Sequence, residues 1–146
     1  MATVARKPRP SGAPRLLRKS LEARFVEILD RECHDRALTL IKERSRAVRR
    51  GDVHELMLTD ETAAAPGGTA DGIDYVGFIE FQAGGTLVYG DGVVIGGRRI
   101  GTIAGFDECY APNHYNILVQ GPRRASGVDL DQYPGDPVVF EPAERK

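Results

Sequence analysis

Seven short apolar runs fill the chain after Gly51: Val53 to Thr59, Ile73 to Gln82, Thr86 to Tyr89, Val93 to Ile95, Arg98 to Gly105, Asn116 to Gln120 and Pro137 to Phe140. Their period is two, which puts successive side chains on opposite faces of a strand. Runs this short, separated by turns and supplied with 17 glycines, favour closing the sheet into a small barrel, because an open sheet leaves its edges unpaired. The sharpest local feature is VVIGGRRI, Val93 to Ile100. Its two glycines permit the positive φ angles of a two-residue hairpin turn. A weaker echo links YGDGVVI from Tyr89 to YPGDPVVF from Tyr133. Each sets Gly-Asp before an apolar strand, in a tight turn whose Asp is expected to bond following backbone amides.

Ahead of Gly51 the spacing reads as helical. Leu21, Phe25, Ile28, Leu29, Cys33, Ala37, Leu40 and Ile41 recur at intervals of three and four, with Glu27/Arg31 and Glu32/Arg36 as outer i, i+4 pairs. Ser20 suits an N-cap, and Arg46, Arg49, Arg50 and Gly51 suit a helix end. The expected organisation is therefore a disordered basic tail over 1–19, one long amphipathic α-helix over 20–51, and a β-barrel of six to seven short strands over 52–146. The fold class is mainly β. Within it, AAAPGGTADG, Ala63 to Gly72, reads as a mobile loop.

The tail matters for partners. Of the 20 basic residues, six lie within residues 1–19, leaving 14 against 21 acids in the remainder. The body is thus acidic, and six charges without interleaved aromatics make a weak nucleic-acid footprint. No apolar run approaches a membrane span. Cys33 and Cys109 are too few for a disulfide framework, so a reducing cytoplasm is the expected location.

With the strands placed, residues 52–142 resemble the glucitol/sorbitol-specific IIA component of the bacterial phosphotransferase system. The landmarks are VHELMLT, FQAGGTLVYGDGVVIGG, RRIGTIAGFDE, PNHYNILV and GDPVVFEP, in that order. The resemblance implies a small β-barrel and a phosphoryl-carrier histidine just before the Gly-rich bend. The corresponding stretch here, Gly77-Phe78-Ile79-Glu80-Phe81, contains no histidine.

Chemistry concentrates in GFDECYAPNHYNILV, Gly105 to Val119. His114 titrates near neutrality and is a candidate acid or base, with Asp107 or Glu108 orienting its second ring nitrogen. Asn113, Tyr115, Asn116 and Cys109 are candidate ligand-binding residues. A Cys109 nucleophile is disfavoured, since adjacent carboxylates raise a thiol's pKa. A metal site from Asp107, Glu108, Cys109 and His114 has no standard zinc spacing, so neither metal nor cofactor is expected. The bland alternative is that Asp107 and Asn113 cap turns, His114 bonds a loop carbonyl, and Tyr110 and Tyr115 pack. His34 reads as a helix-boundary residue. His54 shares a strand face with Leu56 and Leu58 and would need a partner if buried, with Glu80 or Asp74 as candidates. Glu80 becomes an acid/base candidate if it faces an apolar interior.

Three functions compete. The first is a small-molecule-binding barrel, acting as a cyclase, isomerase or lyase of specialised metabolism through a His/acid cluster at its rim. The second is an interaction module or homo-oligomer assembled through the N-terminal helix. The third, implied by resemblance alone, is a phosphoryl carrier.

Overall fold

The computed structural model describes residues 18–143. Its strands are β1 (Leu21–Cys33), β2 (Leu38–Thr39), β3 (Ser45–Val48), β4 (Val53–Thr59), β5 (Thr69–Ala70), β6 (Ile73–Phe81), β7 (Gly85–Val88), β8 (Gly92–Ile95), β9 (Arg98–Asp107), β10 (Asn116–Gln120) and β11 (Pro137–Glu141). Seven of them close a barrel in the order β1-β11-β8-β9-β10-β4-β6, while β2 pairs with β5 and β3 with β7. Within the barrel every pairing is antiparallel except β10 with β4. Six of the seven runs expected from the sequence are barrel strands; the seventh, Thr86 to Tyr89, overlaps β7 outside the ring, and β1 completes the closure.

The expected helix over 20–51 is absent, and its first half is the longest strand of the barrel. A bulge explains the misreading. Phe25 pairs with Ile79 and Glu27 with Phe78, so Val26 is an extra residue and lies 49% exposed. Inward positions therefore run Leu21, Ala23, Phe25 and then Ile28, and a second register shift follows between Ile28 and Arg31, so the interrupted strand period mimics helical spacing. β1 is hydrogen-bonded on both sides, to β11 and to β6. No apolar helical stripe remains for a partner chain. Gly51 does take a positive φ, +90°, but in the turn into β4. Residues 1–17 of the basic tail lie outside the described residues. Arg18 is fixed at the barrel, donating to the Thr86 carbonyl at 2.7 Å and pairing with the buried Asp91.

The β8–β9 hairpin turns through Gly96 and Gly97 at φ +61° and +74°, as the sequence implies. The two Gly-Asp turns also share one geometry. In each the Asp carboxylate accepts the amide three residues before it, Asp91 from Val88 at 2.9 Å and Asp136 from Tyr133 at 2.8 Å. The bonds thus reach back along the chain, where following amides were expected.

The barrel is filled rather than hollow. Phe25, Phe81, Phe106 and Phe140 are fully buried, with Phe81 stacked on Phe140 at 5.5 Å. A second apolar layer coats part of the outer wall, where Leu38, Leu40, Ala64 and Ala70 cover Met57, Ala104 and Leu118. Ala63 to Gly72 contributes to this layer through Ala64 and β5, so it is more than a mobile loop. β4 is consequently buried on both faces after Val53.

The segment between β10 and β11 covers part of one end of the barrel. Val128 N–H donates to the Leu29 carbonyl at 3.3 Å, and Ser126 Oγ donates to Asp30 Oδ1 at 2.9 Å. Gly127 permits this approach, because a Cβ there would fall on the Val76 carbonyl oxygen. Gly127→Ala is expected to lower the unfolding free energy by about 1 kcal/mol or more through overpacking, read as an earlier urea midpoint.

Candidate functional site

Register builds the site. Asn116 lies opposite Glu55 on one side and Asp107 on the other, so three polar side chains from β4, β10 and β9 stand side by side on the outer wall. All three are buried. Asn116 Nδ2 donates to Asp107 Oδ2 at 2.7 Å, and the Cys109 thiol meets the same oxygen at 2.8 Å. Burial, followed by the Asp107 hydrogen bond, pushes the Cys109 thiol up, opposed by Arg36, whose Nη2 lies 3.8 Å from the sulfur. Cys109 is therefore a thiol donor here, not an activated nucleophile. Arg36 also donates to Tyr75 Oη at 2.9 Å.

His114 closes the group. Its Nε2 lies 3.6 Å from Glu55 Oε1, with the two side chains only 11% and 8% exposed. The ring is stacked on Tyr110 at 5.1 Å and meets the edge of Phe78 at 5.1 Å. Asn113 Nδ2 donates to Nδ1 at 2.9 Å, which assigns the neutral ring's proton to Nε2, facing Glu55. Burial pushes His114 down, opposed by the Asn116 side chain and the Asp107 charge. Burial pushes Glu55 up to about 7, against the Arg36 charge. Burial thus favours the uncharged form of both groups, a neutral imidazole beside a reluctantly ionised carboxyl. A cavity of about 280 Å³, lined by Val26, Glu27, Val53, Phe78, Asn113 and His114, adjoins the imidazole.

Residues 15–141 match the family model described as a family of unknown function, DUF6917. The chain belongs to the DUF6917 family. No curated protein and no solved structure matches it.

In this DUF6917 barrel the residues singled out from sequence divide into two sets. His114, Asn113, Asn116, Asp107 and Cys109 are brought together. Glu108 is not, because Arg46 takes its carboxylate at 2.6 Å. Tyr115 stands aside, with Arg46 3.4 Å over its ring and its amide donating to His54 Nδ1 at 3.0 Å. Glu80 pairs with Val53 on the outer side of β6, between the inward Ile79 and Phe81, so it is no interior acid. The acid beside His114 is Glu55, which occupies the place expected of Asp107 or Glu108. His54 is buried and held by the Tyr115 amide, where Glu80 or Asp74 was expected, and burial pushes its pKa down. His34 is exposed on the end of β1, 3.6 Å from Glu32. Glu108 is drawn away from Asp107, Cys109 and His114, and among the described residues no group of three or more such side chains is placed to hold a metal ion. Among those residues no helix is long and apolar enough to cross a membrane.

Sequence reasoning missed Glu55, Arg36 and Tyr75. The available signal for Glu55 was VHELMLT itself: a strand without alternation is buried on both faces, so its one carboxylate is buried on either.

Proposed function

We propose that this protein binds a small carbonyl compound beside His114 and catalyses proton transfer on it, as an isomerase, lyase or cyclase. The observation that carries the reading is the buried His114–Glu55 couple, whose Nε2 makes no hydrogen bond and whose ring opens onto the cavity. Glu55 faces the Nε2 proton, and Nδ1 presents its lone pair to the exposed Asn113 amide. A ligand that displaces that amide meets a base. The C–H bond next to the carbonyl breaks, its proton passes to Nδ1, and its electron pair moves to the carbonyl oxygen as an enolate. Glu55 stabilises the imidazolium, and the displaced Asn113 amide can donate to the enolate oxygen. Return of the proton elsewhere isomerises the substrate, while expulsion of a β-group or attack on an internal electrophile gives a lyase or a cyclase.

The test is deuterium uptake from D2O into a panel of 2-oxo acids, 1,3-dicarbonyls and enones, followed by proton NMR. At least one compound is expected to exchange faster with the protein, and His114→Ala, assayed below its melting temperature, to slow it by about 100-fold or more. A panel with no accelerated exchange overturns the proposal. So does exchange that survives His114→Ala.

A further inference from the structure

A second cavity lies at the other end of the barrel from His114. It measures about 690 Å³, and its floor is Leu58, Ile95, Ile100, Ala125 and Leu130. Arg98, Arg99, Arg123 and Arg124 stand around it, together with Asp129 and Asp131. Cross-strand register sets the exposed Arg98 opposite the buried Ile95, so the two leave the sheet on the same face. The hairpin that brings Arg98 and Arg99 to this end is pinned by its turn glycines. The cap segment brings Arg123 and Arg124.

The charges here are unequally committed. Asp129 accepts the Ser126 amide at 3.0 Å, and Arg124 leans on Asp74 at 3.7 Å. Among the described residues no carboxylate lies within ion-pair distance of Arg98, Arg99 or Arg123. Residues 20–146 hold more acids than bases, so a run of uncompensated arginines at one mouth reverses the charge of its surroundings. Its volume falls within the range of small-molecule pockets. An apolar floor fits a hydrocarbon or aromatic body, and guanidinium forks match the planar, two-oxygen geometry of a carboxylate or phosphate.

We infer that this mouth binds an amphipathic anion, an apolar body ending in a carboxylate or a phosphate, at a site separate from the His114 group. Isothermal titration of the full chain with decanoate, decyl phosphate, decan-1-ol and inorganic phosphate, each below its aggregation limit, tests it. One or both amphipathic anions are expected to bind at least about tenfold more tightly than the alcohol or free phosphate, with affinity falling as sodium chloride is raised. Whichever of the two binds tells a carboxylate from a phosphate ligand. Arg98→Gln with Arg123→Gln is expected to weaken binding at least about tenfold at an unchanged melting temperature. If the double variant melts early, Arg123→Gln alone, on the exposed loop, carries the same comparison. Equal binding of decanoate and decanol, indifference to the arginine changes, or no binding of either anion overturns the inference.

Discussion

Phe25→Ala is expected to lower the unfolding free energy by about 4 kcal/mol, the usual loss when a fully buried aromatic leaves a cavity. Phe25 is 1% exposed, and its ring lies against the Cα of Gly77 on β6, where no side chain can move in to fill the void. Its backbone also holds the cap, donating to the Asp136 carbonyl at 3.0 Å and accepting from Gly135 at 2.7 Å. Urea unfolding followed by far-ultraviolet circular dichroism reads the loss. Val26→Ala, one residue away on the exposed bulge, is expected to change stability by less than about 0.5 kcal/mol. That contrast reads out the inward placing of Phe25 against the outward placing of the bulge residue. Similar costs at the two positions would reject that placing of Phe25 and Val26.

Glu55→Gln is expected to make the protein more stable above neutral pH while removing the activity proposed for it. An unfolded glutamate ionises near 4.3, whereas burial pushes Glu55 up to about 7. Folding therefore favours the protonated carboxyl. The associated stability is fully present below about pH 4.3, declines as pH rises, and is gone once pH has passed about 7. Glutamine keeps the shape and cannot ionise. After allowance for solvent screening around a partly open site, the variant is expected to gain about 2 kcal/mol at pH 8 and almost nothing at pH 4. His54 and His114 act in the opposite sense. Burial depresses both, so their stability is present above about 6.5 and is lost as pH falls below it. Being common to both proteins, they cancel to first order in the difference. Urea midpoints at pH 4, 6 and 8 measure it, and a variant no more stable than the wild type at pH 8 contradicts a buried, reluctantly ionised Glu55. Gain of stability with loss of function marks a group kept for chemistry rather than for the fold.

Much of the barrel could be read from period and turn chemistry. β4 and β10 run over the residues their patterns suggest, and the Gly96-Gly97 hairpin turns as its residues demand. β1 was illegible because its register shifts twice, at Val26 and again between Ile28 and Arg31, and a shifted alternation imitates a helical face over a short window. β2 and β5 are two residues each, too short to show any period, and their Leu38 and Ala70 join the apolar layer on the barrel wall. At the site, the loop sequence disclosed His114, Asp107, Cys109 and Asn116 as neighbours along the chain. Glu55 joins them through the parallel pairing of β10 with β4, a contact between distant segments that no local pattern encodes. The arginine mouth is hidden for the same reason, its two halves coming from separate connections that meet only once the barrel closes.

The placement of β1 between β6 and β11 has a consequence for biosynthesis. A ribosome delivers the first strand long before the last, so during translation β1 has one bare edge and an apolar face with nothing to rest on. Contacts this far apart in sequence make ring closure slow once the chain is free. The nascent protein must therefore be shielded from sticking to its neighbours until residue 141 has cleared the exit tunnel, and chaperone dependence in the cell should track the arrival of that final segment.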